Sequence, residues 1–184
     1  GQWWLAQLGM SSLLRDMVFS LATSALLVLP VLALALGSGR LLLIALPANL
    51  LPLIAALGWM GWTGTSLRLG TALVMAVALA IAVDDTIHLL THAESVRRKG
   101  MSARRAIQRA LAHTGPALVG TTLVLLAGFL SMVPSSLRAI SDMGVVAAVA
   151  LATALLADLL VVPPLYALIH TRRLRHPRAR STSS

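Results

Sequence analysis

Long apolar runs separated by short polar connectors make up most of this chain. At ~1.5 Å of rise per residue, each run is long enough as a helix to cross a hydrocarbon core of ~30 Å. The pattern therefore predicts an all-α, polytopic membrane bundle of five transmembrane helices within residues 17–170. We expect 1–16 to be the end of a preceding extracytoplasmic domain and 171–184 to be a basic, disordered cytoplasmic tail. The five runs cover about 17–36, 41–62, 70–92, 116–133 and 143–169.

One connector has a helical pattern of its own. In segment 102–113, apolar side chains recur at three- and four-residue steps, with arginines and a glutamine on the opposite side. Pro116 follows, and proline is favoured in the first turn of a helix. We therefore expect an amphipathic helix that lies on the cytoplasmic membrane surface and ends before the fourth span begins.

The composition agrees with a membrane protein. The chain has 184 residues, of which 58% are hydrophobic and 11% charged, and its mean hydropathy is +0.86. Most of the 15 Lys and Arg fall in the first connector, the third connector and the tail. These segments follow the first, third and fifth spans, so they lie on the same side of the membrane. The positive-inside rule then places the N-terminus outside and the C-terminus in the cytoplasm. Topology thus explains the net charge of +9, with anionic lipid contact as a second reading, and nucleic acid is not an expected partner.

Two adjacent carboxylates interrupt the third apolar run. Asp84 should lie ~13 Å from the cytoplasmic edge, close to the middle of the bilayer. Ionisable groups at that depth are costly and are functional by default, although a packing contact is the alternative. His88 is one turn from Asp84 and three residues from Asp85, so these side chains can exchange a proton. His88 could equally be a satisfied partner or approach the headgroups.

The fifth run repeats the pattern with a single acid. Asp158 also falls near mid-membrane, and Pro163 and Pro164 follow it. Because proline lacks an N–H group, the two prolines leave the carbonyls around Leu159 and Leu160 without their helical partners. Asp158 is either a second relay group or a protonated packing partner, and the sequence does not decide between them.

Three polar residues in other spans are weaker candidates. Asn49 lies between Pro47 and Pro52, which predicts a broken helix, and packing is favoured over a ligand role. Thr121 and Thr122 could relay protons, but threonine hydroxyls within a span usually bond back to their own helix.

The spans contain no Lys or Arg, so the acids lack a cationic partner in this chain unless His88 provides one. An acid whose charge changes as water reaches it is a workable proton carrier. We expect protons as the coupling ion and no further cofactor. The chain has no cysteine, which excludes a disulfide framework and a Cys-based metal site, and no metal site is predicted.

Three segments resemble a known family. They are Ala80-Ile-Ala-Val-Asp-Asp-Thr-Ile-His88, Leu46-Pro-Ala-Asn-Leu-Leu-Pro52 and Gly120-Thr-Thr-Leu. Together they resemble the C-terminal transmembrane half of the resistance–nodulation–division (RND) exporters, most closely the MMPL-type and Patched-like branch. The resemblance implies twelve spans in two halves, of which this chain holds spans eight to twelve. It also implies that Asp84 and Asp85 occupy the position of the proton-relay acids.

The function that this resemblance implies is proton-driven export of lipids or other hydrophobic compounds across a bacterial cytoplasmic membrane. The implied partners are the missing N-terminal half, membrane lipids and the substrate, while a homo-oligomer is left open. The chain is expected to be a transporter and no enzyme. One alternative is a sterol-sensing-like lipid-binding module without proton coupling. Another is an aspartyl protease with Asp84 and Asp158 as its pair, although the Gly-x-Gly-Asp motif of such proteases does not occur.

Overall fold

The computed structural model describes residues 36–171, together with the isolated positions 19, 23, 30 and 32–34. This part of the chain is helical and contains no strand, which confirms the predicted all-α class. A π-helical turn, Ala157–Val161, joins the last two helices without a break. The α-helices are α1 Gly39–Thr63, α2 Leu69–Arg98, α3 Ala103–Leu130, α4 Arg138–Leu156 and α5 Val162–Thr171.

Four helical segments in the described part are long and apolar enough to cross a membrane. They are α1, α2, α3 and the continuous run Arg138–His170, and they correspond to the predicted spans 41–62, 70–92, 116–133 and 143–169. The predicted first span, 17–36, lies mostly outside the described residues, as do 1–16 and 172–184. The count of five spans therefore stays a prediction.

The predicted break between a surface helix and the fourth span is absent. Segment 102–113 and span 116–133 belong to one helix, α3, which contains Pro116 in its interior. Gly115 precedes this proline and has no Cβ, which removes a clash that normally disfavours helical geometry before proline. On the predicted apolar side of segment 102–113, Ala106, Ile107 and Ala110 are buried, and the amphipathic surface helix stays a prediction.

The predicted break in the second span is also absent. Pro47 and Pro52 both lie inside the continuous helix α1. Each proline removes one backbone hydrogen bond, but Pro52 and the nearby Ala48 are buried against neighbouring helices. The helix is therefore continuous through a sequence that favours a break.

The core consists of two clusters of buried apolar side chains. The first joins the beginning of α1, the end of α2, the beginning of α3 and α5, with Leu89, Leu90 and Tyr166 fully buried. We call this region the basic end of the bundle, because Arg97, Arg98 and the arginines at the start of α3 lie there. The second cluster, around Met60, Met75 and Val146, fills the opposite end.

Small residues let the helices approach closely. A Cβ on Gly144 of α4 would lie 2.5 Å from the backbone oxygen of Phe129 in α3. No side chain fits in that space, so glycine is required where these two helices meet. Interfaces built on small residues are typical of helices that pack in a membrane.

Candidate functional site

The acidic pair and the histidine of α2 are presented on the outer surface of the described bundle. Asp84 Oδ1 and His88 Nε2 are 3.5 Å apart, and both side chains are 70% exposed. Asp85, one residue further around the helix, is half-buried. The predicted one-turn contact between Asp84 and His88 is therefore present, on a face that no described residue covers.

An open groove between α2 and α3 joins several of the predicted site residues. Its volume is about 640 Å³. The Thr121 hydroxyl lines it and donates a hydrogen bond to the Ala117 carbonyl at 3.0 Å. Thr122 is buried and is not among the lining residues. The ten lining residues are Asp84, Asp85, His88, Thr91, His92, His113, Thr114, Ala117, Leu118 and Thr121.

Two histidines that sequence reasoning left aside meet in this groove. The rings of His92 on α2 and His113 on α3 are stacked, with centroids 4.9 Å apart and an interplanar angle of 17°. The sequence pattern assigned neither histidine to the site, and His113 lies in segment 102–113, the predicted surface helix. The signal that could have found the pair is the four-residue step from Asp84 through His88 to His92.

Asp158 lies apart from the groove and is almost fully buried, with 2% of its surface exposed. The Thr86 hydroxyl lies 2.7 Å from Asp158 Oδ1 and 2.9 Å from the Ala82 carbonyl oxygen. The hydroxyl has one proton, so it donates to one of these acceptors at a time. Thr86 was given no role from the sequence, although it directly follows the acidic pair.

The backbone around Asp158 departs from regular α-helix. Asp158 lies in the π-helical turn Ala157–Val161, five residues before Pro163. The two prolines cannot bond to the carbonyls four residues earlier, and a wider turn accommodates their rings. Single π-helical turns of this kind occur frequently at functional sites. Leu159 and Leu160, whose carbonyls are expected to lose their helical partners, both lie in this turn.

Asn49 is buried in α1 and does not reach the groove. Its amide nitrogen donates to the Ala45 carbonyl at 2.8 Å. Its Oδ1 atom has no hydrogen-bond partner within the described part of the chain. This geometry agrees with the packing role favoured from the sequence, although the Asn49 Oδ1 acceptor is not used within the described part of the chain.

A polar cluster at the basic end was also missed. Glu94 on α2 accepts two hydrogen bonds from Arg97, at 2.8 and 2.6 Å, and one from Arg98 at 3.3 Å. The Tyr166 hydroxyl of α5 donates to the same carboxylate at 3.2 Å. The ring of Tyr166 stacks on His170, with centroids 4.4 Å apart. The three- and four-residue spacing from Glu94 to the arginines could have revealed the ion pairs, but not the tie to α5.

No set of three or more His, Cys, Asp or Glu side chains in the described residues is arranged to hold a metal ion. Among the predicted site residues, the groove brings together Asp84, Asp85, His88 and Thr121. It leaves Asp158, Thr122 and Asn49 in the packed interior.

Comparison with known proteins places this helical arrangement in a family. The profile of the MMPL family matches residues 9–184, which is nearly the whole chain. The chain belongs to the MMPL family. This family is part of the RND superfamily, so the resemblance seen in the sequence is confirmed. Members of the MMPL family are transporters and not enzymes.

A relative from Methanocaldococcus jannaschii, whose name describes it as a membrane protein, is 32% identical over 120 residues. The match covers 63% of this chain and 31% of the relative. The chain thus spans about a third of the length of this relative. Together with the four apolar helices, these findings make the chain a multi-pass membrane protein of the MMPL family.

Proposed function

We propose that this MMPL-family chain is the C-terminal transmembrane part of a proton-driven exporter of lipids or other hydrophobic compounds. The observation that carries the proposal is the contact between Asp84 and His88 in the middle of an apolar helix, at the edge of a groove. Two ionisable groups at that position are expensive in lipid and useful for moving protons. In the proposal, Asp84 and Asp85 carry protons and His88 assists them.

The exposure of this face supports the proposed missing half. A carboxylate that is 70% exposed at mid-membrane cannot face hydrocarbon without a large free-energy penalty. Protein or water must therefore cover the groove in the membrane. The N-terminal half of the same transporter is the cover that we propose, with matching polar groups that face Asp84 and Asp85. A homo-oligomer could form in addition.

The other polar residues fall into two groups in this proposal. Thr121 lies in the groove beside the acids and can hydrogen-bond to water there. Asp158 and Thr86 form an inner polar contact that holds α2 against the π-helical turn, and a change in the protonation of Asp158 would change that contact. Asn49 and Thr122 act in packing. The proposed orientation has the basic end in the cytoplasm of a bacterial cell and the N-terminus outside.

The decisive test replaces both acids in the full-length transporter, as Asp84→Asn with Asp85→Asn. We expect efflux of a hydrophobic dye such as Nile red, driven by a pH gradient in proteoliposomes, to be lost. Protein yield and monodispersity should be unchanged, because the substitution keeps the size of both side chains. Asp142→Asn in α4, which removes a carboxyl outside the groove, is the matched control.

Unchanged dye efflux in the double variant would rule out the proposed role of the acids. Efflux in the unmodified protein that ignores the pH gradient would instead favour the lipid-binding module without proton coupling. The first outcome tests the role of Asp84 and Asp85, and the second tests whether transport depends on the proton gradient at all.

A further inference from the structure

Four of the five ionisable side chains that line the groove follow one another towards the basic end. Asp84, His88 and His92 follow each other at four-residue steps on α2, and His113 meets His92 from α3. Each four-residue step advances ~6 Å along the helix. The sequence of groups thus extends from the acidic pair at mid-membrane to the end of the bundle where the arginines lie.

The space between these groups suits water. The groove has a volume of about 640 Å³, whereas one water occupies ~30 Å³ in the liquid. The hydroxyls of Thr91 and Thr114 line it near the histidine pair. Both hydroxyls donate to carbonyls of their own helices, at 2.7 and 2.9 Å, which leaves their oxygen lone pairs free to accept from water. A chain of waters can therefore connect groups that do not touch directly.

The stacked pair suits the transfer of one proton at a time. A neutral imidazole accepts a proton on one nitrogen and releases one from the other. The two ring centroids are 4.9 Å apart, so a proton that reaches one ring has a second carrier beside it. Arg109, one turn before His113 on α3, is an exposed charged side chain of the same helix.

The titratable groups around the pair are few. On α2 the groove presents Asp84, Asp85 and His88. On α5, which packs against α3, the described titratable side chains at this end are Tyr166 and His170, and both face Glu94, at 3.2 and 4.0 Å, instead of the groove. The only carboxylates among the lining residues are thus the two proposed proton carriers.

We propose that His92 and His113 form the cytoplasmic terminus of the proton path that serves Asp84 and Asp85. A proton released from the acids passes through His88 and groove water to the stacked pair, which releases it to the medium at the basic end. Each transfer moves one proton from a protonated group to a neutral or anionic acceptor. The inference rests on the proposed function and adds the exit of the path to it.

The test uses the full-length transporter in inside-out membrane vesicles, where the basic end faces the bath. After a rapid pH step, infrared difference spectroscopy follows the carboxyl band of the acids, which the Asp84→Asn, Asp85→Asn variant identifies by its loss. His92→Phe with His113→Phe keeps two aromatic rings but removes both proton carriers. We expect protonation of the acids to slow by about tenfold or more, with the same final amplitude.

Two controls separate proton transfer from structure. His170→Phe makes the same replacement outside the groove and should leave the rate unchanged. In His113→Ala, added imidazole should restore the rate, because a free imidazole can replace the missing carrier. An unchanged rate in the double Phe variant, or equal slowing in His170→Phe, would overturn the inference.

The failure of the inference differs from the failure of the proposed function. If replacing both acids abolishes dye efflux but the histidine variants protonate the acids at the normal rate, only the exit path is wrong. If replacing the acids leaves efflux intact, the proposed function and the exit path both fail.

Discussion

At the scale of single residues, Thr86 shows how one hydroxyl supports a buried acid. Asp158 is 2% exposed, and the Thr86 hydroxyl is the hydrogen-bond partner of its carboxyl group among the side chains described. A buried polar group that loses its partner carries the full penalty of its lost hydration. Thr86 therefore matters to the folded protein more than its position between two acids and an isoleucine suggests.

Replacing this hydroxyl should weaken the packing of α2. We expect Thr86→Val to lower the free energy of unfolding by about 1 kcal/mol, the typical size of a hydrogen bond between membrane helices. Unfolding in sodium dodecyl sulfate measures the change. Thr153→Val is the matched control, because the Thr153 hydroxyl donates to the Val149 carbonyl of its own helix at 2.7 Å. Equal effects of the two substitutions would mean that the Asp158 contact contributes nothing measurable.

Residue patterns predicted part of the candidate site. The four-residue step from Asp84 to His88 was sufficient to predict their contact, because a helix sets that distance locally. The contact from Thr86 to Asp158 joins residues 72 positions apart. In a helix that is apolar on every side, periodicity does not reveal which face meets which neighbour. The same reason explains why Tyr166 and Glu94 were not paired from the sequence.

At the scale of helices, sequence predicts length better than continuity. The apolar runs gave α1 within a few residues, since the bilayer thickness fixes the length of a span. Prolines were misleading in α1 and α3, where the helices continue through Pro47, Pro52 and Pro116. Before Pro163, by contrast, the helix widens into a π-helical turn. Whether a proline breaks a helix depends on the packing around it, which is a tertiary property.

The contact between α3 and α4 provides a prediction at this scale. Gly144→Ala places a Cβ against the Phe129 backbone oxygen, so the helices must separate. We expect a loss of about 1–3 kcal/mol in unfolding free energy, as overpacking typically costs. Gly128→Ala, in α3, is the control, because nothing lies within 4 Å of its added Cβ. A neutral Gly144→Ala variant would show that the two helices are not closely packed there.

At the scale of the whole molecule, charge and exposure distinguish two surfaces, the basic end and the groove face. The basic end contains the arginines of α2 and α3, and the proposed orientation puts this end in the cytoplasm. The groove face bears Asp84 and His88, which need a cover in the membrane. The exposed apolar side chains elsewhere, such as Leu43, Leu73 and Val124, suit contact with lipid.

The orientation can be measured directly, because the chain has no cysteine. A cysteine at Ser102, at the basic end, should react with a membrane-impermeant maleimide only in inside-out vesicles. A cysteine at Ser136, between α3 and α4, should react only in right-side-out vesicles. Both positions are exposed, so burial does not limit the labelling. The reverse pattern of labelling would invert the proposed topology.

Two side-chain bridges join α2 to the last helical run. Thr86 contacts Asp158, and Glu94 contacts Tyr166. The second pair lies eight residues after the first pair on both helices. Because the interval is the same on both helices, the two helices run parallel in one register, with contacts at two points ~12 Å apart. If one helix moved along the other by a single residue, ~1.5 Å, both hydrogen bonds would be strained. These two contacts hold the acids of α2 in register with the C-terminal helix, so in the proposed transporter a movement driven by protons would carry both helices together.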